Sequence, residues 1–98
     1  MKNLLWYMFA GTRGGVTRAR IAELLRRSPA NANRISRMLK LDYKTVRHHL
    51  GVLEKNRLIY AIEKKKYGAV YFLSEQMQSN ISIFDGIWDK IGRNLGKN

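Results

Sequence analysis

The strongest local pattern in the sequence is DYKTVRHHLGVLEKN, at residues 42–56. Its apolar positions Val46, Leu50 and Leu53 recur at spacings of four and three, which is typical of the buried face of a helix. Asp42 precedes them and belongs to the residue types that cap helix N-termini well. The pattern therefore predicts a helix that begins after Asp42 and turns its polar side chains outward.

Two shorter helical patterns precede this stretch. We expect Thr17 to cap the first, which Ser28 and Pro29 end, and Asn33 to cap the second. Their apolar positions repeat the spacing of three and four, and are Ile21, Leu24 and Leu25 in the first helix and Ile35, Met38 and Leu39 in the second. Further upstream, residues 4–9 (LLWYMF) are apolar throughout, and periodicity alone does not distinguish a helix from a buried strand there.

A short connection joins the second and third of these helices. Only about three residues separate Leu39 from the start of the third helix, as a helix-turn-helix requires. Ser36 is small, which allows the two helices to approach closely where they cross. These features favour a helix-turn-helix over an arbitrary three-helix bundle.

The pattern changes after Asn56, the expected end of the third helix. Residues 58–62 (LIYAI) and 69–73 (AVYFL) are rich in β-branched and aromatic side chains, and the polar residues 63–68 (EKKKYG) between them suit a hairpin loop. The sequence thus predicts a mainly α fold with a small β-hairpin: a winged helix-turn-helix with a three-helix core and a two-stranded wing. We expect a single domain over residues 1–98, with the winged-helix core at 12–74.

The C-terminal segment returns to helical spacing. Its apolar side chains are separated by four, three, four, three and four residues, which places them on one seam: Met77, Ile81, Phe84, Trp88, Ile91 and Leu95. Such a stripe is costly to expose, so it either packs on its own chain, most naturally against residues 4–9, or pairs with a second copy. We favour a homodimerisation helix over residues 75–95, since helix-turn-helix proteins commonly read two half-sites with two-fold symmetry.

Charge is segregated along the chain. The formal net charge is +12; residues 11–66 carry 15 basic and four acidic side chains, whereas residues 74–98 carry three of each. A polyanion that binds the middle of the chain is the natural explanation, although a generally cationic surface is the alternative. With the predicted fold, this charge indicates double-stranded DNA as the partner.

The segments from Asn31 to Leu50 and from Tyr67 to Ser74 resemble those of archaeal ArsR-like winged-helix regulators. The resemblance lies in LDYKTVRHHL, at residues 41–50, and in YGAVYFLS, at residues 67–74, and it covers roughly residues 4–75. It implies a role in transcription regulation. Two departures are Lys40, at a turn position where glycine is frequent, and the absence of the cysteine pair of the metal-sensing branch.

Candidate DNA contacts follow from the third helix, the wing and the second helix. On the recognition helix they are Tyr43, Lys44, Thr45, Arg47 and His48, with Lys44 and Arg47 the leading candidates for base or phosphate contacts. On the wing and beside the groove they are Lys64, Lys65, Lys66, Tyr67, Arg34 and Arg37, with Tyr67 against the minor groove. The alternatives are a solvated helix face and a hairpin tip that its charge keeps soluble.

Other functions find little support in the sequence. No nucleophile–base arrangement or phosphate-binding loop is recognisable, so we expect no enzyme activity, no catalytic residue and no cofactor. The adjacent His48 and His49 point about 100° apart on a helix, so we expect no metal site, and partial burial of His49. We expect a cytoplasmic, nucleoid-associated protein that does not enter membranes; no small-molecule effector can be identified. A protein- or RNA-binding module in a larger assembly and a sequence-independent DNA-coating protein are the alternative functions.

Overall fold

The computed structural model describes residues 1–66 and 68–95, and their side chains as far as residue 92. In chain order the elements are α1 (Lys2–Phe9), α2 (Gly15–Arg27), β1 (Ala30–Asn31), α3 (Ala32–Leu39), α4 (Tyr43–Lys55), β2 (Ile59–Lys64), β3 (Gly68–Leu73), α5 (Glu75–Ser79) and α6 (Ile81–Leu95). The fold is mainly helical with a small antiparallel sheet, as predicted. Residues 4–9, left open by the sequence, are helical.

The helix-turn-helix forms as predicted, with a three-residue turn between α3 and α4. Lys40 adopts a left-handed backbone conformation with φ of 55°, so this turn does tolerate a side chain where glycine would be less strained. Ser36 stabilises the turn, because its hydroxyl donates to the Leu41 carbonyl at 2.5 Å and its carbonyl accepts from the Leu41 N–H at 3.0 Å. Asp42 caps α4 by accepting from the Thr45 N–H at 3.3 Å, and Asn56 is the C-cap.

Both upstream helices begin earlier than the sequence predicted. The N-cap of α2 is Gly14 rather than Thr17, with φ of 84°, and a Cβ atom on Gly14 would lie 2.7 Å from the His49 ring. The N-cap of α3 is Asn31 rather than Asn33; its side chain accepts from the Arg34 N–H at 2.8 Å. The predictions were wrong because tertiary contacts, which sequence spacing does not show, decide between neighbouring residues that can all cap a helix.

The sheet has three strands where the sequence predicted two. The predicted hairpin is present, and its register runs from Ile59 opposite Leu73 to Lys64 opposite Gly68. The strands therefore extend into the predicted loop. The additional strand β1 pairs with β3, placing Ala30 opposite Tyr71, and gives the order β1-β3-β2. This pairing brings the start of α3 against the wing.

The C-terminal segment forms two helices instead of one. The first, α5, ends at its C-cap Asn80, and α6 begins at the next residue. On both sides of the break the apolar stripe lies on the protein core, where Met77 and Phe84 are fully buried. Phe84 of α6 is fully buried and meets the Phe9 ring edge to face, with ring centroids 5.0 Å apart. On the surface, the Arg26 guanidinium of α2 forms an ion pair with Asp85 of α6. The helix thus packs on α1 and α2 of its own chain.

Candidate nucleic-acid interface

The outward face of α4 carries all five residues predicted for the recognition helix. Their side chains are exposed, whereas Val46, Leu50 and Leu53 on the opposite face are buried. The exposed residues are Tyr43, Lys44, Thr45, Arg47 and His48. Because residues four apart lie above one another on a helix, the larger of these side chains form two rows, one of Tyr43 and Arg47 and one of Lys44 and His48. The helix therefore presents a polar, cationic surface.

Arg47 is fixed by the wing. Its guanidinium donates to the hydroxyl of Tyr71, on strand β3, at 3.2 Å. Tyr71 is only 5% exposed; burial raises the pKa of its hydroxyl, while the positive charge of Arg47 acts in the opposite direction. The row that contains Arg47 therefore lies on the wing side of α4. Tyr71 was missed as a functional residue because its alternating position in a strand predicts only burial.

A polar cleft lies where α3, α4 and the wing meet. Its volume is about 330 Å³, and its walls include Asn31, Asn33, Tyr43, Arg47, Lys66 and Tyr71. Strand β1 supplies the α3 side of the cleft by pairing with β3. The sequence did not predict this cleft because it did not predict β1.

The other predicted cationic contacts are exposed as well. Lys64 ends β2 and Lys65 and Lys66 form the turn of the wing, while Arg34 and Arg37 lie on α3. Tyr67, predicted to lie against the minor groove, is outside the described residues. These positions surround α4 with positive charge from the wing on one side and from α3 on the other.

A buried arginine contacts the inward face of α4. Arg18 of α2 is 5% exposed and donates to the carbonyl of Met8 at 2.9 Å and to the hydroxyl of Thr12, and it contacts Nδ1 of His49 at 3.3 Å. Burial lowers the pKa of Arg18. The side chain thus connects the loop after α1 to α4. Its burial was not predicted, although its position three residues before Ile21, within the apolar stripe of α2, is a signal for it.

His49 is buried as expected, at 8% exposure. Burial lowers the pKa of its ring, and the positive charges of Arg18 and His48 lower it further. The neutral ring accepts the Arg18 hydrogen bond at Nδ1, which leaves the proton on Nε2. His49 therefore helps to hold α4 against Arg18 of α2, whereas its neighbour His48 faces outward.

Five of the six predicted dimerisation residues have described side chains, and these divide into two groups. Met77, Phe84 and Ile91 are buried in the core of a single chain, so in this conformation they offer little surface to a second copy. Ile81 and Trp88 are only partly buried. The side chain of Leu95 lies outside the described residues.

Within residues 1–66 and 68–95, no three His, Asp or Glu side chains come together as metal ligands would. None of the helices in this part of the chain combines the length and hydropathy needed to cross a bilayer.

A known protein family matches the part of the chain that contains the helix-turn-helix. Residues 15–61, which run from the start of α2 into strand β2, match the family described as "Bacterial regulatory protein, arsR family". This range contains the complete α3–turn–α4 unit described above. No curated protein matched the sequence.

Solved structures that are similar to this chain include two transcriptional regulators and a Zalpha domain. The fold is a winged helix-turn-helix. A probable transcriptional regulator from Pseudomonas aeruginosa is 19% identical with a TM-score of 0.74, over 95% of this chain and 72% of that one. The transcriptional regulator SlyA is 18% identical with a TM-score of 0.67, over 98% and 68%. The Zalpha domain of zebrafish PKZ is 26% identical with a TM-score of 0.61, over 65% and 100%. Over most of their length, these structures share the arrangement of helices and wing described above.

Proposed function

We propose that this protein is a transcriptional regulator that binds double-stranded DNA with sequence preference. The observation that carries the proposal is the outward face of α4, where Lys44, Arg47 and His48 are exposed beside a basic wing. A helix of this kind fits the major groove and reaches base edges with its first residues. The protein would then act in the cytoplasm, in association with the nucleoid.

The contacts divide by their position on the fold. Lys44 and His48 point away from the protein and are placed for base edges, with Tyr43 and Thr45 beside them at the start of α4. Lysines 64–66 of the wing bind phosphates across the groove, and we keep the sequence-based proposal that Tyr67 contacts the minor groove. Arg34 and Arg37 of α3 contact the backbone on the other side. The segregated charge of residues 11–66 supports this division.

We propose further that the regulator acts as a homodimer. A two-fold dimer places two recognition helices one DNA turn apart, about 34 Å, and thereby reads a palindromic site. Phe84 is buried in the core of its own chain. The contact between the two subunits would therefore use the outer side of α6, where Ile81 and Trp88 remain partly exposed. The apolar character and near neutrality of this segment support the assignment, because neither favours contact with DNA.

One observation favours a second candidate function, RNA binding. Tyr60 and Phe72 stack on the face of the hairpin opposite Tyr71, with centroids 5.2 Å apart, and Tyr60 is 45% exposed. Exposed aromatic rings on a sheet stack well on unpaired bases. This surface is small, whereas the cationic surface around α4 extends over two helices and the wing. Duplex DNA is therefore the better candidate.

Selection of bound fragments from random duplex DNA tests the proposal. We expect the wild-type protein to enrich one sequence motif, and the Lys44→Gln variant to relax the preference at the bases that Lys44 contacts, by about 1–3 kcal/mol. Lys2→Gln removes the same charge from the exposed start of α1 and serves as the matched control, with an unchanged motif. Binding without any motif would indicate a sequence-independent DNA-coating protein, and preference for single-stranded RNA over the duplex would favour the second candidate.

A further inference from the structure

We propose that the cleft between α3, α4 and the wing is a binding site for one phosphodiester group of the DNA backbone, and that Tyr71 positions Arg47 for it. The proposal rests on the proposed DNA-binding function and assigns a different role to each row of α4. Arg47 and its cleft anchor the protein on the backbone, while Lys44 and His48 are left to contact bases.

The chemistry of the cleft suits an anion. Arg47 contributes a guanidinium from α4 and Lys66 an ammonium from the wing, so two cations from separate elements line one cleft. Among the described residues of its wall there is no carboxylate, and Asn33 and Tyr43 add polar side chains. The volume of about 330 Å³ equals that of roughly ten water molecules, which is room enough for one phosphodiester group.

Tyr71 fixes the direction of the guanidinium. Its buried hydroxyl accepts a hydrogen bond from one terminal nitrogen of Arg47, at 3.2 Å. The arginine has five N–H donors in a rigid plane, so this contact orients the plane and leaves other donors for a pair of phosphate oxygens. A long side chain that is already oriented loses less conformational freedom when it binds.

The same contact explains why Arg47 meets the backbone and not a base. Tyr71 lies on β3, so the hydrogen bond directs Arg47 sideways from α4 toward the wing. Phosphates border the major groove on the side where a wing approaches, whereas base edges lie at its floor. Phosphate contacts position a protein without carrying sequence information, which predicts an effect of Arg47 on affinity that is the same for every sequence.

The first test measures duplex binding by fluorescence anisotropy over a range of salt concentrations. We expect Arg47→Gln to make the slope of log affinity against log salt shallower by about 0.9, the value for one lost phosphate contact, and to leave the selected motif unchanged. Tyr71→Phe should weaken binding in the wild-type background and have no further effect in the Arg47→Gln background. Tyr60→Phe, which removes a hydroxyl from the opposite face of the hairpin, is the matched control and should bind as wild type.

The second test neutralises single phosphates of the duplex as methylphosphonates. We expect one position in each half-site at which the wild-type protein loses affinity and the Arg47→Gln protein does not. An unchanged salt slope in a folded Arg47→Gln variant, or a changed motif, would overturn the phosphate assignment while duplex binding itself persists. If the wild-type protein fails to bind any duplex, the proposed function fails instead, so the two failures are distinguishable. Equal effects of Tyr71→Phe in both backgrounds would overturn the positioning role.

Discussion

Replacement of Phe84 by alanine tests how the C-terminal helix is used. The side chain is fully buried in a single chain, and its ring packs against Phe9 at 5.0 Å and Trp88 at 6.1 Å. Truncation of a buried phenylalanine costs about 3–5 kcal/mol, a large part of the 5–15 kcal/mol by which small domains are stable. For a chain of this length, the loss corresponds to a decrease in Tm of at least about 12 °C.

Urea denaturation followed by far-UV circular dichroism measures this loss. The difference in unfolding free energy between wild type and Phe84→Ala should be the same at two protein concentrations tenfold apart, because the contact lies within one chain. Tyr7→Ala removes an aromatic ring from α1 that is 61% exposed, and as the control it should change stability by less than about 0.5 kcal/mol. A loss below about 1 kcal/mol for Phe84→Ala, or one that disappears on dilution, would refute the packing of α6 on its own chain.

Three further predictions concern the wing, the support of α4 and the dimer. Replacement of Lys64 and Lys65 by glutamine should make the salt slope of DNA binding shallower by about 1.8, since each lost phosphate contact contributes about 0.9 and Lys66 shares the phosphate of Arg47; a wild-type slope would place the wing away from DNA. The lowered pKa of His49, caused by burial and then by Arg18 and His48, means that the unfolded chain binds its proton first as pH falls. The free energy of unfolding should therefore decrease below pH about 6.5, and His49→Gln should remove that part of the decrease in denaturation measured from pH 8 to 5; equal pH profiles would contradict this. Trp88→Glu should convert a dimer into a folded monomer in light scattering at micromolar concentration, and a monomeric wild type would refute the homodimer.

Helix α4 was predictable because its determinants are local. The cap at Asp42, the buried positions Val46, Leu50 and Leu53 and the terminator Asn56 all lie within fifteen residues, and each has its expected place in the structure. The β-branched and aromatic composition of the wing strands likewise predicted the hairpin.

The features that the sequence did not reveal depend on contacts between distant residues. Strand β1 has two residues, too few for any alternation, and is defined by its pairing with Tyr71 and Val70 of β3. The break at Asn80 was missed because the apolar spacing continues across it from Met77 to Phe84. The Arg47–Tyr71 contact joins residues 24 apart in sequence, and with β1 it builds the cleft that no local pattern indicates.

The central claim is that the surface formed by α4 and the wing binds duplex DNA with sequence preference. The most direct test is the affinity of the wild-type protein for its selected duplex and for a scrambled duplex of the same length and composition, measured at one physiological salt concentration. We expect the selected duplex to bind at least about a thousandfold more tightly, as is typical of specific protein–DNA complexes. Equal affinities for the two duplexes would contradict the claim.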